Sequence, residues 1–141
     1  RNDPQSEPFL TIFECELHLV LGDPAQALAA AQRGLAIATE HGIASEQLWN
    51  AMYTGGALAA LGKPQEALAL MRPTLAVIEA VGLWVCILQW CSYMADALRQ
   101  LGELTAAAAE LERAVVIAER RGYFDFVPLV WIEAAKLLAH P

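Results

Sequence analysis

The chain has 141 residues and a formal net charge of −7, and its nine lysine and arginine residues are scattered along the sequence. Binding to a nucleic-acid backbone needs clustered cations, so this composition argues against direct nucleic-acid binding. Although 57% of the residues are hydrophobic, no segment approaches the roughly 18–20 unbroken apolar residues that span a membrane, so no membrane contact is expected.

A repeated pattern organises the chain. Each of three copies opens and closes with a glycine, and corresponding glycines recur at one constant interval, which we call the repeat period. They are Gly22 and Gly42 in the first copy, Gly62 and Gly82 in the second, and Gly102 and Gly122 in the third. A fixed period in the range of tens of residues predicts a protein of stacked structural repeats.

The helix signals predict seven helices, and period-2 strand patterns are absent. We call the first helix of each repeat A and the second B, so four A helices alternate with three B helices. Residues 1–5 are predicted to be frayed or disordered, and residues 6–141 to form one repeat domain. The predicted repeat units are about 6–42, 43–82, 83–122 and a partial unit 123–141. The predicted helices are about 6–21, 24–41, 45–61, 64–81, 85–101, 104–121 and 125–139.

Capping and breaking residues differ between the copies. Asp23 before Pro24 is a good N-cap for the first B helix, and Ser45 and Asp125 are predicted N-caps of A helices. Lys63 replaces the capping aspartate in the second copy, which predicts a weaker helix start. Pro73 lies inside the second B helix and is predicted to kink it, because proline removes an i→i−4 hydrogen bond.

Small side chains recur at one position of each helix type and predict closely spaced helix axes. On the A helices this position holds Cys15, Gly55, Ala95 and Ala135. On the B helices it holds Gly34, Thr74 and Ala114.

The spacing of glycine, alanine and leucine resembles the tetratricopeptide repeat. Gly22 and Gly62 are each followed five and six positions later by Ala-Leu, whereas the third copy has Gly102 and Ala107 but Ala108 in place of leucine. The repeat period is about 40 residues, which is longer than the roughly 34 residues of the common form. The resemblance implies an all-α, right-handed superhelical solenoid of antiparallel helix pairs, with about 3.5 repeats. HEAT or armadillo repeats, of similar period, are the alternative fold.

Long, alanine-rich repeats of this kind are similar to those of bacterial LuxR-type ATP-dependent regulators and ATPase–cyclase-like signalling proteins. The resemblance implies a non-catalytic interaction or sensor region of a larger regulator, with A helices lining a concave groove for a protein or peptide partner. The groove candidates that it implies are Phe9, Ile12, Glu16, Trp49, Met52, Gln89, Ser92, Asp96, Arg99, Ile132 and Lys136. A mixed apolar and polar groove also suits a small ligand. Alternatively, Ile12, Trp49 and Met52 belong to the core between repeats.

Catalytic and metal-binding signals are absent from the sequence. It contains no phosphate-binding loop, dinucleotide fingerprint or nucleophile elbow, and its histidines lack metal-ligand spacing. We therefore expect no enzyme, cofactor or metal. Cys15, Cys86 and Cys91 are expected to be reduced thiols of a cytoplasmic protein, with Cys86 and Cys91 on one helix.

The last predicted helix is apolar nearly all round, which is typical of a buried helix. This predicts either neighbouring repeats of a longer parent chain or self-association of two copies through the helix. The candidate residues are Phe126, Leu129, Val130, Trp131 and Leu138. Trp84, Trp90 and Trp131 are predicted to be packing residues rather than binding residues.

Overall fold

The computed structural model describes residues 6–123 and 127–140, and these residues form seven α-helices and no strand. The helices are α1 (Ser6–Val20), α2 (Pro24–Glu40), α3 (Ala44–Ala60), α4 (Pro64–Ala80), α5 (Ile87–Gln100), α6 (Leu104–Arg121) and α7 (Val127–Leu138). The prediction of an all-α fold with seven helices is confirmed. The predicted frayed segment 1–5 and the predicted cap Asp125 lie outside the described residues.

The helices form two layers. Short turns join consecutive helices, so neighbours run antiparallel and pack on each other. The odd-numbered helices also contact one another in the order α1, α3, α5, α7, whereas α2, α4 and α6 do not contact one another over the described ranges. The odd helices therefore form a continuous inner row, and the even helices lie outside it, as in an α-solenoid.

Six glycines end the first six helices in the same way. Each has a left-handed backbone, with φ between 67° and 77°, as in Gly62 with φ 72°. The residue after each glycine donates its amide to the carbonyl five positions back, as from Lys63 N to Leu58 O at 2.9 Å. This is the Schellman arrangement, in which glycine at C′ satisfies the last helical carbonyls at low steric cost. The glycines thus fix where each helix ends.

The start of α5 departs from the repeat. Ala44 is the first residue of α3, and the equivalent residue one repeat period later is Trp84. However, α5 begins only at Ile87. Cys86 precedes it with φ 68°, the one positive φ among the described residues other than glycine. The prediction that Cys86 and Cys91 share a helix is therefore wrong. Trp84 instead lies in the turn, with the Arg121 guanidinium of α6 4.5 Å from its ring centroid.

The helix caps follow the sequence in two of three cases. The Asp23 carboxylate accepts a hydrogen bond from Gln26 N at 3.2 Å, as predicted, and Lys63 makes no side-chain cap at the start of α4. The prediction that Ser45 caps α3 is wrong, because α3 begins one residue before it and Ser45 bonds the Glu46 carboxylate instead.

Small residues lie where the helices cross. Cys15 and Ala95 are buried, and a Cβ added to Gly55 would lie 2.2 Å from Met71 Cγ of α4. Gly34 covers a buried polar pair, Thr11 and Asn50, and a Cβ there would lie 2.0 Å from Thr11 Oγ1. Neither Gly55 nor Gly34 therefore has room for a side chain. Ala135, at the equivalent position of α7, is exposed, so the prediction of a helix crossing at this residue is not met among the described helices.

Pro73 lies on the exposed side of α4, inside the helix. We expect Pro73→Ala to restore a helical hydrogen bond and to raise the free energy of unfolding by about 1–3 kcal/mol, since proline in a helix interior costs roughly 3 kcal/mol. Urea unfolding followed by far-UV circular dichroism measures the difference. Unchanged or lower stability would contradict a strained α4.

Candidate functional site

A cavity of about 230 Å³ opens along the row of odd-numbered helices. All four of these helices contribute to its walls, and we call it the groove cavity. The lining residues are Glu16, Leu19 and Val20 of α1, Gly56 and Ala60 of α3, Gln89, Ser92, Tyr93 and Asp96 of α5, and Leu129 and Glu133 of α7. The walls combine aliphatic side chains with three carboxylates.

The repeat register places three of the residues that line the groove cavity. Glu16, Gly56 and Asp96 are each separated by one repeat period and occupy the same position of three successive odd helices. The middle position has no side chain, and a Cβ on Gly56 would lie 2.7 Å from the Tyr93 ring. Glycine therefore lets the Tyr93 ring approach α3 between the two carboxylates.

A hydrogen-bonded chain forms the floor. Tyr53 OH donates to Gln89 Oε1 at 3.1 Å, and Gln89 Nε2 donates to Tyr93 OH at 3.0 Å. The Tyr53 ring also packs edge-on against the buried Trp90, with centroids 5.1 Å apart. Burial raises the pKa of both tyrosines, and the Glu16 carboxylate raises it further. Both phenols therefore stay neutral at physiological pH and hold the floor in one arrangement.

A charge network closes one end of the groove cavity. Arg99 pairs with Asp96 on α5, and Lys136 Nζ lies 2.5 Å from Glu133 Oε1 on α7. Arg99 Nε lies 3.8 Å from Glu133 Oε2, which is too long for a hydrogen bond, and both of these buried atoms lack a hydrogen-bond partner. Glu133 is only 8% exposed. Its Oε2 atom is therefore closed to solvent and faces the Arg99 guanidinium without a hydrogen bond.

Burial raises the pKa of Glu133, and the nearby Asp96 carboxylate acts in the same direction, while Lys136 and Arg99 oppose them. At the other end of the cavity, Glu16 Oε2 lies 3.5 Å from Tyr53 OH. No cation among the described residues pairs with Glu16. The three carboxylates that line the groove cavity thus outnumber the two cations, Arg99 and Lys136, that pair with them.

The structure places the predicted groove residues in several environments. Glu16, Gln89, Ser92 and Asp96 line the groove cavity, and Arg99 and Lys136 pair with its acidic residues. Ile12 and Met52 are instead buried in the core, which agrees with the alternative interpretation and removes them from any accessible groove. Trp49 is half-buried and packs against that core. Phe9 and Ile132 are 44% and 50% exposed and do not line the cavity.

The sequence interpretation missed Tyr93, Glu133, Val20 and Ala60. Tyr93 and Glu133 lie one residue beyond Ser92 and Ile132, and Val20 and Ala60 lie one residue beyond Leu19 and Ala59. Since Ser92 and Leu19 also line the groove cavity, its lining extends one residue beyond the assigned face. The available signal was the row Phe13, Tyr53, Tyr93 and Glu133, in which a carboxylate follows three aromatic residues at steps of one repeat period.

Comparison with known proteins supports the resemblance. A family model described as tetratricopeptide repeat matches residues 8–33 and 54–73, about a third of the chain. The crystal structure of the TPR domain of Arabidopsis FLU superposes with a TM-score of 0.70 at 20% sequence identity, covering 84% of this chain and 99% of that one. The fold is a tetratricopeptide-like repeat array. No curated protein matches the sequence.

The described residues outside the groove cavity include no metal cluster and no activated thiol among Cys15 and Cys91. Within 6–123 and 127–140, no group of three histidine, cysteine or acidic side chains is placed to hold a metal. No helix of these ranges is long and apolar enough to cross a bilayer. Burial raises the pKa of the Cys15 thiol to about 12 and that of Cys91 as well. These two cysteines are therefore packing residues rather than nucleophiles.

The tryptophans divide into two groups. Trp90 is buried and Trp84 packs against the core, as predicted. The prediction for Trp131 is wrong, since it is 73% exposed. Cys91 and Ala51, its equivalents in the two preceding repeats, are buried. Val130 is buried and Leu129 half-buried, Leu138 is exposed, and Phe126 lies outside the described residues.

Glu133→Gln tests the environment of the buried carboxyl. A raised pKa in the folded state means that stability is full below the ordinary value of 4.5 and falls as Glu133 ionises at higher pH. We expect the glutamine variant to gain stability over the native protein at pH 7, with the gain shrinking towards pH 4. Urea midpoints at both pH values give the comparison. Glu112→Gln, at an exposed position of α6, is the control, and a gain independent of pH would contradict the assignment.

Proposed function

We propose that the chain is a non-catalytic protein-interaction module whose partner segment lies in the groove cavity. The single observation that carries this proposal is the groove cavity itself, which all four odd helices line and which combines apolar walls with carboxylates. An apolar anchor beside a few polar groups is the usual arrangement for recognising a peptide. Tetratricopeptide repeats generally mediate contacts between proteins, and the family and fold matches support that role here.

The size of the groove cavity favours a side chain over a free small molecule. Small-molecule sites have volumes of roughly 300–1,000 Å³ and bury most of the ligand. At about 230 Å³ the groove cavity accommodates one long side chain, while the rest of a peptide continues along the odd helices. The ligand-sensing alternative is therefore the weaker proposal.

The wider context stays a prediction from the resemblance. In this proposal the array belongs to a larger bacterial transcriptional or signalling regulator in the cytoplasm and gives it a docking surface for another protein. The reading frame that contains this chain tests the point directly. Neighbouring ATPase, cyclase or DNA-binding domains would support the proposed context, and their absence from the frame would contradict it.

A variant that fills the groove cavity tests the interaction. Peptides are first selected for binding to the chain from a random displayed library, and their affinities are then measured by fluorescence anisotropy. Ala60 is exposed at the end of α3 and lines the cavity, so Ala60→Phe fills it without entering the core. We expect a loss of at least about tenfold in affinity, since excluding one buried anchor costs roughly 2 kcal/mol or more.

Ala109→Phe is the matched control, because Ala109 is an exposed alanine on the even-numbered helix α6. It should change the affinity by less than about twofold, as surface substitutions away from an interface are nearly neutral. If the selected peptides bind the Ala60→Phe and native chains equally well, the groove cavity is not the partner site.

The exposed face of α7 supports a second candidate function, self-association of two copies. Trp131, Ile132 and Leu138 are 73%, 50% and 89% exposed. The residues one and two repeat periods earlier, in α5 and α3, are buried. In those repeats the following helix, α6 or α4, packs against the odd helix. Two copies that pair through α7 would cover these apolar side chains.

Sedimentation velocity tests this pairing. We expect the native chain to show a species heavier than its 15.3 kDa monomer at high micromolar concentration. Trp131→Lys should shift the distribution to the monomer, because a charge on the paired face is costly to bury. Val77→Lys, which changes an exposed valine of α4, is the control and should leave the distribution unchanged. A native chain that is monomeric throughout would contradict self-association.

A further inference from the structure

We propose that α7 of one copy of the chain docks on α1 of a second copy, so that the row of odd-numbered helices continues from one molecule into the next. The inference rests on the second candidate function, self-association through α7, and names the surface of the second copy that α7 contacts. Its basis is that the two outer helices of the described row expose surfaces whose equivalents inside the row pack against each other.

One contact between neighbouring odd helices recurs at each step of the row. It joins equivalent positions, and the three pairs are Glu16 with Tyr53, Gly56 with Tyr93, and Asp96 with Glu133. In the first pair Glu16 Oε2 lies 3.5 Å from Tyr53 OH. In the second, a Cβ on Gly56 would lie 2.7 Å from the Tyr93 ring. In the third, the two carboxylates line the groove cavity together. Each odd helix therefore directs one face at the next odd helix and receives the previous one on another face.

The face that α7 would direct at a following helix is exposed. In α1 this face consists of four residues, each hydrogen-bonded to Asn50 or Tyr53 of α3, and they are Pro8, Thr11, Cys15 and Glu16. The equivalent residues of α7, three repeat periods later, are Pro128, Trp131, Ala135 and Lys136, and we call them the forward face of α7. All four are exposed, whereas Pro8, Thr11 and Cys15 are buried.

The face on which α1 would receive a preceding helix is exposed as well. The residues that receive the preceding odd helix at two equivalent positions are Asn50 and Tyr53 in α3 and Trp90 and Tyr93 in α5. The same positions of α1 hold Leu10 and Phe13, which we call the rear face of α1. Leu10 and Phe13 are 62% and 53% exposed. The forward face of α7 and the rear face of α1 are thus the two halves of a contact that the row already makes three times.

The chemistry of these two faces has changed on both sides together. Inside the row, Thr11 Oγ1 donates to Asn50 Oδ1 at 3.1 Å, which is a buried polar pair. The equivalent pair between two copies is Trp131 of α7 with Leu10 of α1, and both side chains are apolar. If only one side had changed, docking would leave a buried polar group without its partner. Because both have changed, docking buries apolar surface against apolar surface, which is favourable.

The recurring contact also continues across the two copies. Lys136 of one copy takes the place of Glu16, and Phe13 of the other takes the place of Tyr53. A lysine ammonium is attracted to the face of an aromatic ring, and its methylene stem packs on apolar surface. Continuity with the packing inside the chain therefore favours a second copy as the occupant of both faces. Such a contact uses different surfaces of the two copies, so it generates chains or rings of molecules.

Mixing two variants, each blocked at one face, tests head-to-tail docking. Leu10→Lys blocks the rear face of α1 and Trp131→Lys blocks the forward face of α7, and neither exposed residue lies in the core. Sedimentation velocity is recorded at physiological salt, where the net negative charges of the copies are screened. We expect each variant alone to be monomeric. The equimolar mixture should form a 1:1 complex with twice the mass of the 15.3 kDa monomer, because one intact α7 and one intact α1 remain.

Two further variants make the comparison specific. Val77→Lys changes an exposed valine of α4 and should associate as the native chain does. Phe13→Lys is a second block of the rear face, and it also places a cation opposite Lys136, so it should behave as Leu10→Lys does. Far-UV circular dichroism of each variant checks that the helices form, and the two independent blocks of α1 keep the test from depending on one substitution.

The outcomes separate this inference from self-association itself. If both α1 variants associate alone as the native chain does while Trp131→Lys is monomeric, self-association through α7 stands and docking on α1 is wrong. A mixture that stays monomeric at concentrations where the native chain associates would also overturn docking on α1. A native chain that is monomeric throughout would overturn both.

Discussion

The constraint on which the array depends is the left-handed glycine that ends each helix. From Gly22 to Gly122, every twentieth residue is a glycine with φ near 70°. Since the last hydrogen bonds of each helix close on these residues, the even spacing gives helices of nearly equal length and returns equivalent positions to the same face once in every repeat period. The burial of Cys15 and Ala95 and the row formed by Glu16, Gly56 and Asp96 both follow from this register.

Much of the fold was predictable because these signals are local. Glycine at C′ and a capping aspartate with proline act within one turn of the helix, so Gly22, Asp23 and Pro24 mark a helix end and the next start without reference to the rest of the chain. The start of α5 was not predictable in this way. No side chain caps the start of α5. The contact of Trp84 with Arg121 of α6 lies at this start, so we infer that tertiary contacts rather than local signals determine where α5 begins.

The groove cavity was predictable only in part, because its composition depends on the rotation of each helix. A face defined by a period of 3.6 residues changes its members when the helix turns by about 100°. Glu16 and Asp96 belong to both the predicted and the observed face. Ile12 and Met52 were predicted on that face but lie in the core, whereas Tyr93 and Glu133 line the cavity without having been predicted there. Whether Glu133 Oε2 finds a hydrogen-bond partner depends on its distance from Arg99 of α5. That distance cannot be predicted from the sequence pattern.

The inner row of odd helices also sets a regular spacing for the contacts of any peptide that lies across it. Packed helix axes are separated by about 8–10 Å, and an extended peptide advances about 3.3 Å per residue. An extended partner would therefore meet a new repeat roughly every third residue. Because the Tyr93 ring occupies the space that a side chain at Gly56 would take, the step between Glu16 and Asp96 carries no charged group. Recognition by this array would then reside in the spacing of a partner's residues as much as in their identity.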